Sequence, residues 1–382
     1  MRISKQQALQ LYQGGLLPEL AERADKLCNV TRASRPHTSQ NLHPDNIRTY
    51  VVERNINYTN VCCCRCSFCA FSTSPGGKNG FVLTFDQIAE KIEELLSLDG
   101  TQILLQGGLN PELSFSWYEE LLRRIKERFP RLHIHAFSPP EICFMAERFN
   151  MTIPEVIEKL RSAGLDTIPG GGAEILVERV RKIISPGKCS TEQWLDVMRQ
   201  AHKLGMCTTA TMMFGHLETP AERIEHLDRL RTLQDESLEQ RESNPSAGYF
   251  TAFTCWPFQP GSTRLSRLDR YDPTGNGDKD RPRRGNELLL AGAFEQLKMT
   301  ALARIYLDNF DNIQASWVTQ GPKIAQLSLL AGCNDIGSLM MEENVVSAAG
   351  TTFRMQLNEL RQLIQTAGFQ PVQRDCYYNL LL

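Results

Sequence analysis

The amino-acid sequence predicts an α/β protein folded as one (β/α)8 barrel of the TIM type, and three observations carry that expectation. Strand-like and helix-like runs alternate eight times, the helical runs are long enough to cross between parallel strands, and the glycine-rich or polar oddities fall just after strands. Parallel strands joined by helices are covered on both faces. Eight such units in a chain of 382 residues close on themselves rather than spread as an open sheet.

Residues 1–48 read as an N-terminal helical segment. MRISKQQALQLYQGGLLPELAERADKLC mixes charged and apolar residues at a helical period with no unbroken apolar run, so neither an export signal nor a membrane span is expected. Strands are expected at TYVVERNINY (49–58), TQILLQ (101–106), LHIHAF (132–137), LDTI (165–168), CTTATMMF (207–214), FTAFTC (250–255), NIQASWV (312–318) and, more weakly patterned, CNDIGS (333–338). Thr84 with Gln87, Thr152 with Glu155, Ser190 with Gln193 and Thr219 with Glu222 have the spacing at which a cap hydroxyl and a third-residue side chain satisfy the free backbone donors of a helix start. Gly100, Gly164 and Gly205 stand where helices should stop. The barrel is expected over 49–350, with insertions at 238–249 and 266–286, the second dense in charge, Gly and Pro. Residues 351–382 are expected to form a C-terminal helix and tail outside it.

With 42 basic against 44 acidic residues the net charge is -2, too balanced to draw nucleic acid or an anionic membrane, and a small-molecule substrate in the cytoplasm is expected. Twelve cysteines in a chain without an export signal are expected to stay reduced. Cys28, Cys143, Cys189, Cys207, Cys255, Cys333 and Cys376 stand singly and are expected mostly as buried fillers.

The remaining five crowd into VCCCRCSFCAF (61–71), just past the first strand. Two ligand registers are open there: Cys63, Cys66 and Cys69 form C-x2-C-x2-C, and Cys62, Cys66 and Cys69 form C-x3-C-x2-C. No fourth cysteine lies at the ferredoxin distance and no second CxxC pair exists for a closed zinc site, so three ligands and an open position point to a metal that binds a substrate. The other strand ends carry QGG (106–108), SPPE (138–141), PGGGAE (169–174), GH (215–216), WPFQP (256–260) and TQGPK (319–323). His135, Glu141 and His216 are the candidate proton acceptors; Ser138, Gln320 and Glu343 are candidate substrate contacts.

NYTNVCCCRCSFCAF resembles the first-strand loop of the radical S-adenosylmethionine (SAM) enzymes. The resemblance implies that Cys62, Cys66 and Cys69 hold three irons of a [4Fe-4S] cluster with Cys63 and Cys64 as bystanders, and that Phe68 is the aromatic residue before the last ligand. It also implies that Gln106, Gly107 and Gly108 lie against the SAM amino group, that Glu174 meets the SAM ribose, and that a flavodoxin or ferredoxin supplies electrons. RNINYTNVC, GTQILLQGGLNPEL, IHAFSPPEI, GLDTIPGGGAEIL, TATMMFGHLET, IQASWVTQGPKIAQL and NDIGSLMMEENVVSAAG narrow the resemblance to the branch that holds the futalosine cyclases and deazaflavin synthases. That branch implies hydrogen abstraction from a ribose C4′ and ring closure onto a benzoate ring in menaquinone biosynthesis. Deazaflavin (FO) and aminofutalosine synthesis are the neighbouring chemistries, and a non-catalytic metal-binding barrel is the alternative of another class. The CCC run and both insertions depart from the branch's pattern and leave the substrate open.

Overall fold

The structure is a computed structural model describing residues 2–33, 46–267 and 291–382, together with the short strands Arg283–Arg284 and Glu287–Leu288. Strand β1 runs as Ile47–Val51 and Glu53–Asn57, interrupted at Val52. Then come β2 (Gln102–Gln106), β3 (His133–Ala136), β4 (167–168), β5 (Thr208–Phe214), β6 (Phe250–Pro257), β7 (Ile313–Gln314) and β8 (Asp335–Ser338). Parallel pairing passes from β1 to β2 and β3, with Glu53 opposite Gln102 and Gln102 opposite His133. Single bridges, His135 to Thr167 and Ile168 to Thr208, carry the sheet through β4 to β5. It continues through β6, β7 and β8 and returns to β1, where Thr49 stands opposite Asp335. The barrel is closed, and each of the eight expected strands has its place in it.

Helices α1 (Lys5–Gly14) and α2 (Leu17–Ala33) precede the barrel. The crossovers are α3 (Phe85–Leu96), α4 (Phe115–Arg128), α5 (Pro139–Arg148) with α6 (Ile153–Ala163), α7 (Glu178–Ile184) with α8 (Thr191–Lys203), and α9 (Pro220–Ser243). They continue with α10 (Ala293–Tyr306), α11 (Trp317–Gln320) with α12 (Pro322–Ser328), and α13 (Leu357–Thr366). The four expected capping boxes form at the starts of α3, α6, α8 and α9. Gly164 ends α6 with φ at 121°, a conformation a side chain disfavours. Helix α2 packs along α10, so the N-terminal segment leans on the barrel's outer layer.

Strand β5 shows how the barrel is layered. Ala210, Met212 and Phe214 are fully buried under helices, and His202 on α8 bonds Thr208 from outside. The alternate residues Thr209 and Thr211 remain half-buried, so they face the barrel interior.

Two expectations about the chain's layout need correction. The stretch 238–249 is no free insertion: α9 continues through good helix formers to Ser243, and the chain then turns back to β6 with the Arg241 side chain donating to Ala247 O. The proposed insertion at 266–286 lies mostly outside the described residues. The C-terminal segment also does more than pack outside. Helix α13 does so, but β9 (Gln370–Arg374) pairs in parallel with the first half of β1, and β10 (Leu380–Leu381) folds back on β9. From there the tail crosses the barrel floor. Arg374 pairs with Asp335 of β8 (2.5 and 3.1 Å), Gln314 of β7 donates to the Tyr378 hydroxyl (2.7 Å), and Tyr377 sets its ring edge-on to His133. Among the described residues no helix is long and apolar enough to cross a membrane.

Candidate active site

The cysteine loop after β1 is pinned by backbone hydrogen bonds to the ends of other units. Cys62 N donates to Thr73 O (2.8 Å), Cys63 N to Leu109 O beyond β2 (3.0 Å), and Ser67 N to Ile184 O at the end of α7 (2.7 Å). Arg65 turns the chain at a left-handed φ of 51°. This path places four of the five thiols together. Cys62, Cys64, Cys66 and Cys69 pack with Phe68 around Leu109 and Phe144. Cys63 is exposed, and buried Cys64 donates its thiol proton to Gly187 O at 2.9 Å. The Cys64 backbone N–H, 3.5 Å from Cys62 Sγ, and the Lys188 charge lower the Cys62 thiol against its burial. Burial pushes Cys66 up to about 12.

Facing this loop stands Glu174, at the end of the glycine run after β4. It is buried at a left-handed φ of 43° and held there by Met213 N, which donates to Glu174 O at 3.0 Å. Its carboxylate pairs with Lys188 at 2.9 Å, and the Lys188 ammonium also lies 5.1 Å from the centre of the Phe68 ring. Lys188 is desolvated, yet the charge and hydrogen bond of Glu174 raise its pKa. It therefore links the acid from the fourth unit to the cysteine loop of the first. Arg181 sets the spacing of this pair: it donates to Gly172 O and Ala173 O (3.0 and 2.7 Å) and to Cys189 O (3.2 and 2.6 Å), tying both sides of the loop together. Sequence reading missed both residues. A lone lysine in SPGKCS has no spacing signal, and Arg181 reads as one more helix-surface cation.

Gln106 ends β2 at the same face, and its amide lies where a side chain on Gly171 would fall. A Cβ on Gly107 would collide with the Tyr58 ring, and one on Gly108 with the Val61 carbonyl and Cys62. These two glycines therefore let the Tyr58 ring and the cysteine loop come close to the backbone. Glu141 is corrected as a proton acceptor. Its carboxylate accepts from Ser138 N (2.8 Å), Ser138 Oγ (2.6 Å), Gly107 N (3.0 Å) and the Tyr58 hydroxyl (2.7 Å) while 2% exposed. It is a buried tie between the second and third units, and Ser138 is its capping partner rather than a substrate contact.

His216 is fully buried in a turn, accepting from Leu217 N at Nδ1 (2.8 Å) and lying 3.0 Å from Met213 O at Nε2. With Glu218 Oε2 also 3.1 Å from Nδ1, the ring is enclosed by its own turn and is corrected as a proton acceptor for a substrate. Glu343 accepts from Val345 N and Val346 N (2.6 and 2.8 Å) and from Asn55 of β1 (3.2 Å), so it caps its own loop instead of facing a substrate. Gln320 closes α11 half-buried, its amide 3.4 Å from Thr319 O. His135 is the candidate that lies inside the barrel, with Nδ1 2.7 Å from Thr167 Oγ1 and Nε2 3.4 Å from Thr209 Oγ1. Burial lowers its pKa to about 3, so the ring is neutral.

Comparison with known proteins places this geometry. The radical SAM superfamily profile matches residues 56–230, and a CofH/MqnC C-terminal region matches residues 247–381. A cyclic dehypoxanthine futalosine synthase of Halalkalibacterium halodurans is 42% identical over 380 residues, spanning 100% of this chain and 92% of its own. The chain belongs to the radical SAM superfamily. A second synthase of the same name, from Streptomyces coelicolor, is 41% identical over 100% of the chain and 86% of its own length. A 5-amino-6-(D-ribitylamino)uracil--L-tyrosine 4-hydroxyphenyl transferase of Methanosarcina barkeri is 40% identical over 87% of the chain and 81% of its own. In fold, this radical SAM barrel resembles methylornithine synthase, with a TM-score of 0.65, 18% identity and coverage of 97% and 94%.

Radical SAM enzymes carry a [4Fe-4S] cluster and bind SAM, and the donor chemistry here fits. The three thiols of the C-x3-C-x2-C register are unbridged and share one patch, with Glu174 and Lys188 beside it as a polar wall. Among the described residues no three thiol, imidazole or carboxylate groups already converge at metal-binding distance, so the cysteine side chains would turn to take up iron.

Proposed function

We propose that the protein is a radical SAM cyclase converting dehypoxanthine futalosine to cyclic dehypoxanthine futalosine, a step of menaquinone biosynthesis carried out in the cytoplasm. The observation that supports this reading most is the whole-length identity of 42% to a synthase of that name. Cys62, Cys66 and Cys69 would hold the cluster, while Cys63 faces solvent and Cys64 is engaged by Gly187. When bound, the cluster and SAM together supply a 5′-deoxyadenosyl radical, a strong hydrogen-atom acceptor. Glu174 would meet the SAM ribose hydroxyls, Lys188 an anionic group of SAM, and Gln106 the same ligand from the β2 side. Phe68 would pack at the cluster, and Gln320 would reach the substrate. Half-buried Thr209 and Thr211, both bonded to the Gly170 backbone, would line the interior that receives the nucleoside. On this reading the ribose C4′ loses hydrogen, the carbon radical closes onto the benzoate ring, and loss of one electron and one proton completes the spirocycle. A small redox protein such as flavodoxin or ferredoxin would supply electrons.

The test is anaerobic reconstitution with iron and sulfide, followed by dithionite, SAM and dehypoxanthine futalosine. Formation of 5′-deoxyadenosine with cyclised product is expected. The 40% identity to the Methanosarcina transferase supplies the competing substrates, 5-amino-6-(D-ribitylamino)uracil with tyrosine. Turnover of that pair and not of the nucleoside would reverse the assignment.

A further inference from the structure

The cyclase chemistry leaves a proton to be removed inside a barrel whose upper end holds the radical machinery and whose floor is closed by the C-terminal tail. A line of hydrogen-bonding groups leads from the interior through that floor. It begins at half-buried Thr209, whose Oγ1 lies 3.4 Å from His135 Nε2. The other ring nitrogen, His135 Nδ1, lies 2.7 Å from Thr167 Oγ1. On its far side the same hydroxyl lies 2.7 Å from His133 Nε2. His133 is partly exposed, against the edge of the Tyr377 ring, whose residue is 44% exposed. Beside it run Asp166 and Lys126, paired at 2.6 Å with side chains 29% and 25% exposed. The Cys376 thiol of the tail touches the midpoint, 3.5 Å from Thr167 Oγ1.

Proton counting constrains this line. Thr167 has one hydroxyl proton and two imidazole nitrogens at 2.7 Å, so it can donate to only one of them. For both short contacts to be hydrogen bonds, the other ring must present an N–H to the hydroxyl oxygen. The two rings then point head to tail. When both carry their proton on Nδ1, the line reads His135 Nδ1–H to Thr167, Thr167 O–H to His133 Nε2, and His133 Nδ1–H outward. A proton arriving at His135 Nε2 displaces one at each link in turn, and one leaves from His133 Nδ1.

We propose that His135, Thr167 and His133 form a proton path that carries the proton released in ring closure from the barrel interior to the floor surface. The inference rests on the cyclase reading. In the step itself a C–H bond of the cyclised ring breaks and an N–H bond forms at His135 Nε2. The accompanying electron passes to a one-electron acceptor of the iron-sulfur class. His135 meets the substrate side, whereas Thr167 and His133 act through it as positioning residues. The charged and titratable groups facing the two rings are Asp166, Lys126 and Asp375 at His133, and Arg374 at His135. Desolvation holds both rings neutral, which suits passing a proton on rather than storing it.

Two measurements decide it. Nitrogen-15 NMR of histidine-labelled protein, made without cluster or substrate, should show His133 and His135 in the same tautomer, protonated on Nδ1. Opposite tautomers would present Thr167 with two N–H groups or with none, break the line and overturn the path whatever the enzyme catalyses. In the reconstituted enzyme, Thr167→Val keeps the shape but removes the hydroxyl. It should lower cyclised product per 5′-deoxyadenosine on the order of 10-fold or more, with Thr167→Ser restoring it. A Thr167→Val enzyme as tightly coupled as the parent also overturns the path. If the parent forms 5′-deoxyadenosine but no cyclised nucleoside, the cyclase reading fails and takes the path's role with it, while the tautomers report separately on whether the line exists.

Discussion

At the upper end of the barrel three cysteine thiols stand unbridged beside one buried ion pair, whereas at the floor the side chains are matched to one another. The cysteine loop is fixed through its backbone, by Thr73, Leu109 and Ile184, so its thiols owe little to their present neighbours. At the floor Arg374 and Asp335 are both buried and held by each other. The difference teaches where function and stability separate. A group kept for a ligand contributes little to folding, and a buried charge with a protein partner contributes to folding and cannot leave it.

The largest expected effect lies at the upper end. Cys62→Ala, Cys66→Ala or Cys69→Ala should abolish cluster absorbance and SAM cleavage with little change in the urea midpoint, while Cys63→Ala keeps both activities. A dead Cys63→Ala beside an active Cys62→Ala would restore the ferredoxin-like register. Next comes the floor. Arg374→Met strands Asp335 without its cation and should cost about 3–5 kcal/mol of stability by denaturant titration. The companion change Asp335→Leu should recover much of that loss, and additive losses would show that the pair is not coupled as drawn.

A smaller effect sharpens the polar wall of the upper site. Lys188→Met leaves Glu174 buried without its cation, so SAM affinity should fall by at least roughly tenfold at unchanged iron content. Glu174→Gln should fall less, since it removes one charge-assisted hydrogen bond. Equal SAM affinity in all three proteins would return the pair to a purely structural role.

The last effect is spread over the fold and vanishes at neutral pH. Burial lowers His135, His202 and His226 to about 3, from the ordinary imidazole value of 6.5. Each folded pKa lies below the unfolded one, so the unfolded chain binds the proton first. Stability from these groups is complete above about pH 6.5 and is lost as pH falls towards 3, at about 1.4 kcal/mol per pH unit for each ring. His202→Gln should make the pH dependence of the urea midpoint shallower by one proton between pH 6 and 4; an unchanged slope would mean that His202 takes up its proton in the folded state.

Much of the site was legible because its signals are local. The cysteine spacing, the glycine run before Glu174 and the capping boxes each fall within a few residues, and the eight-fold alternation needs only side-chain period. His135, Glu141 and His216 looked alike at that range: polar residues at strand ends. The fold separated them, giving Glu141 four donors, placing His216 in a sealed turn and leaving His135 inside the barrel.

Sequence alone thus determined the barrel, its order of units and the loop that would hold a cluster, since these follow from periodicity and from chemistry carried by neighbouring residues. Tertiary structure alone decided that Lys188 meets Glu174, that Gly107 and Gly108 make room for the protein itself, and that the tail from Arg374 to Tyr378 closes the floor. Those contacts join residues from separate units, and the free energy that selects them, burial of a charge with its partner or of a ring against a backbone, exists only once the barrel has closed.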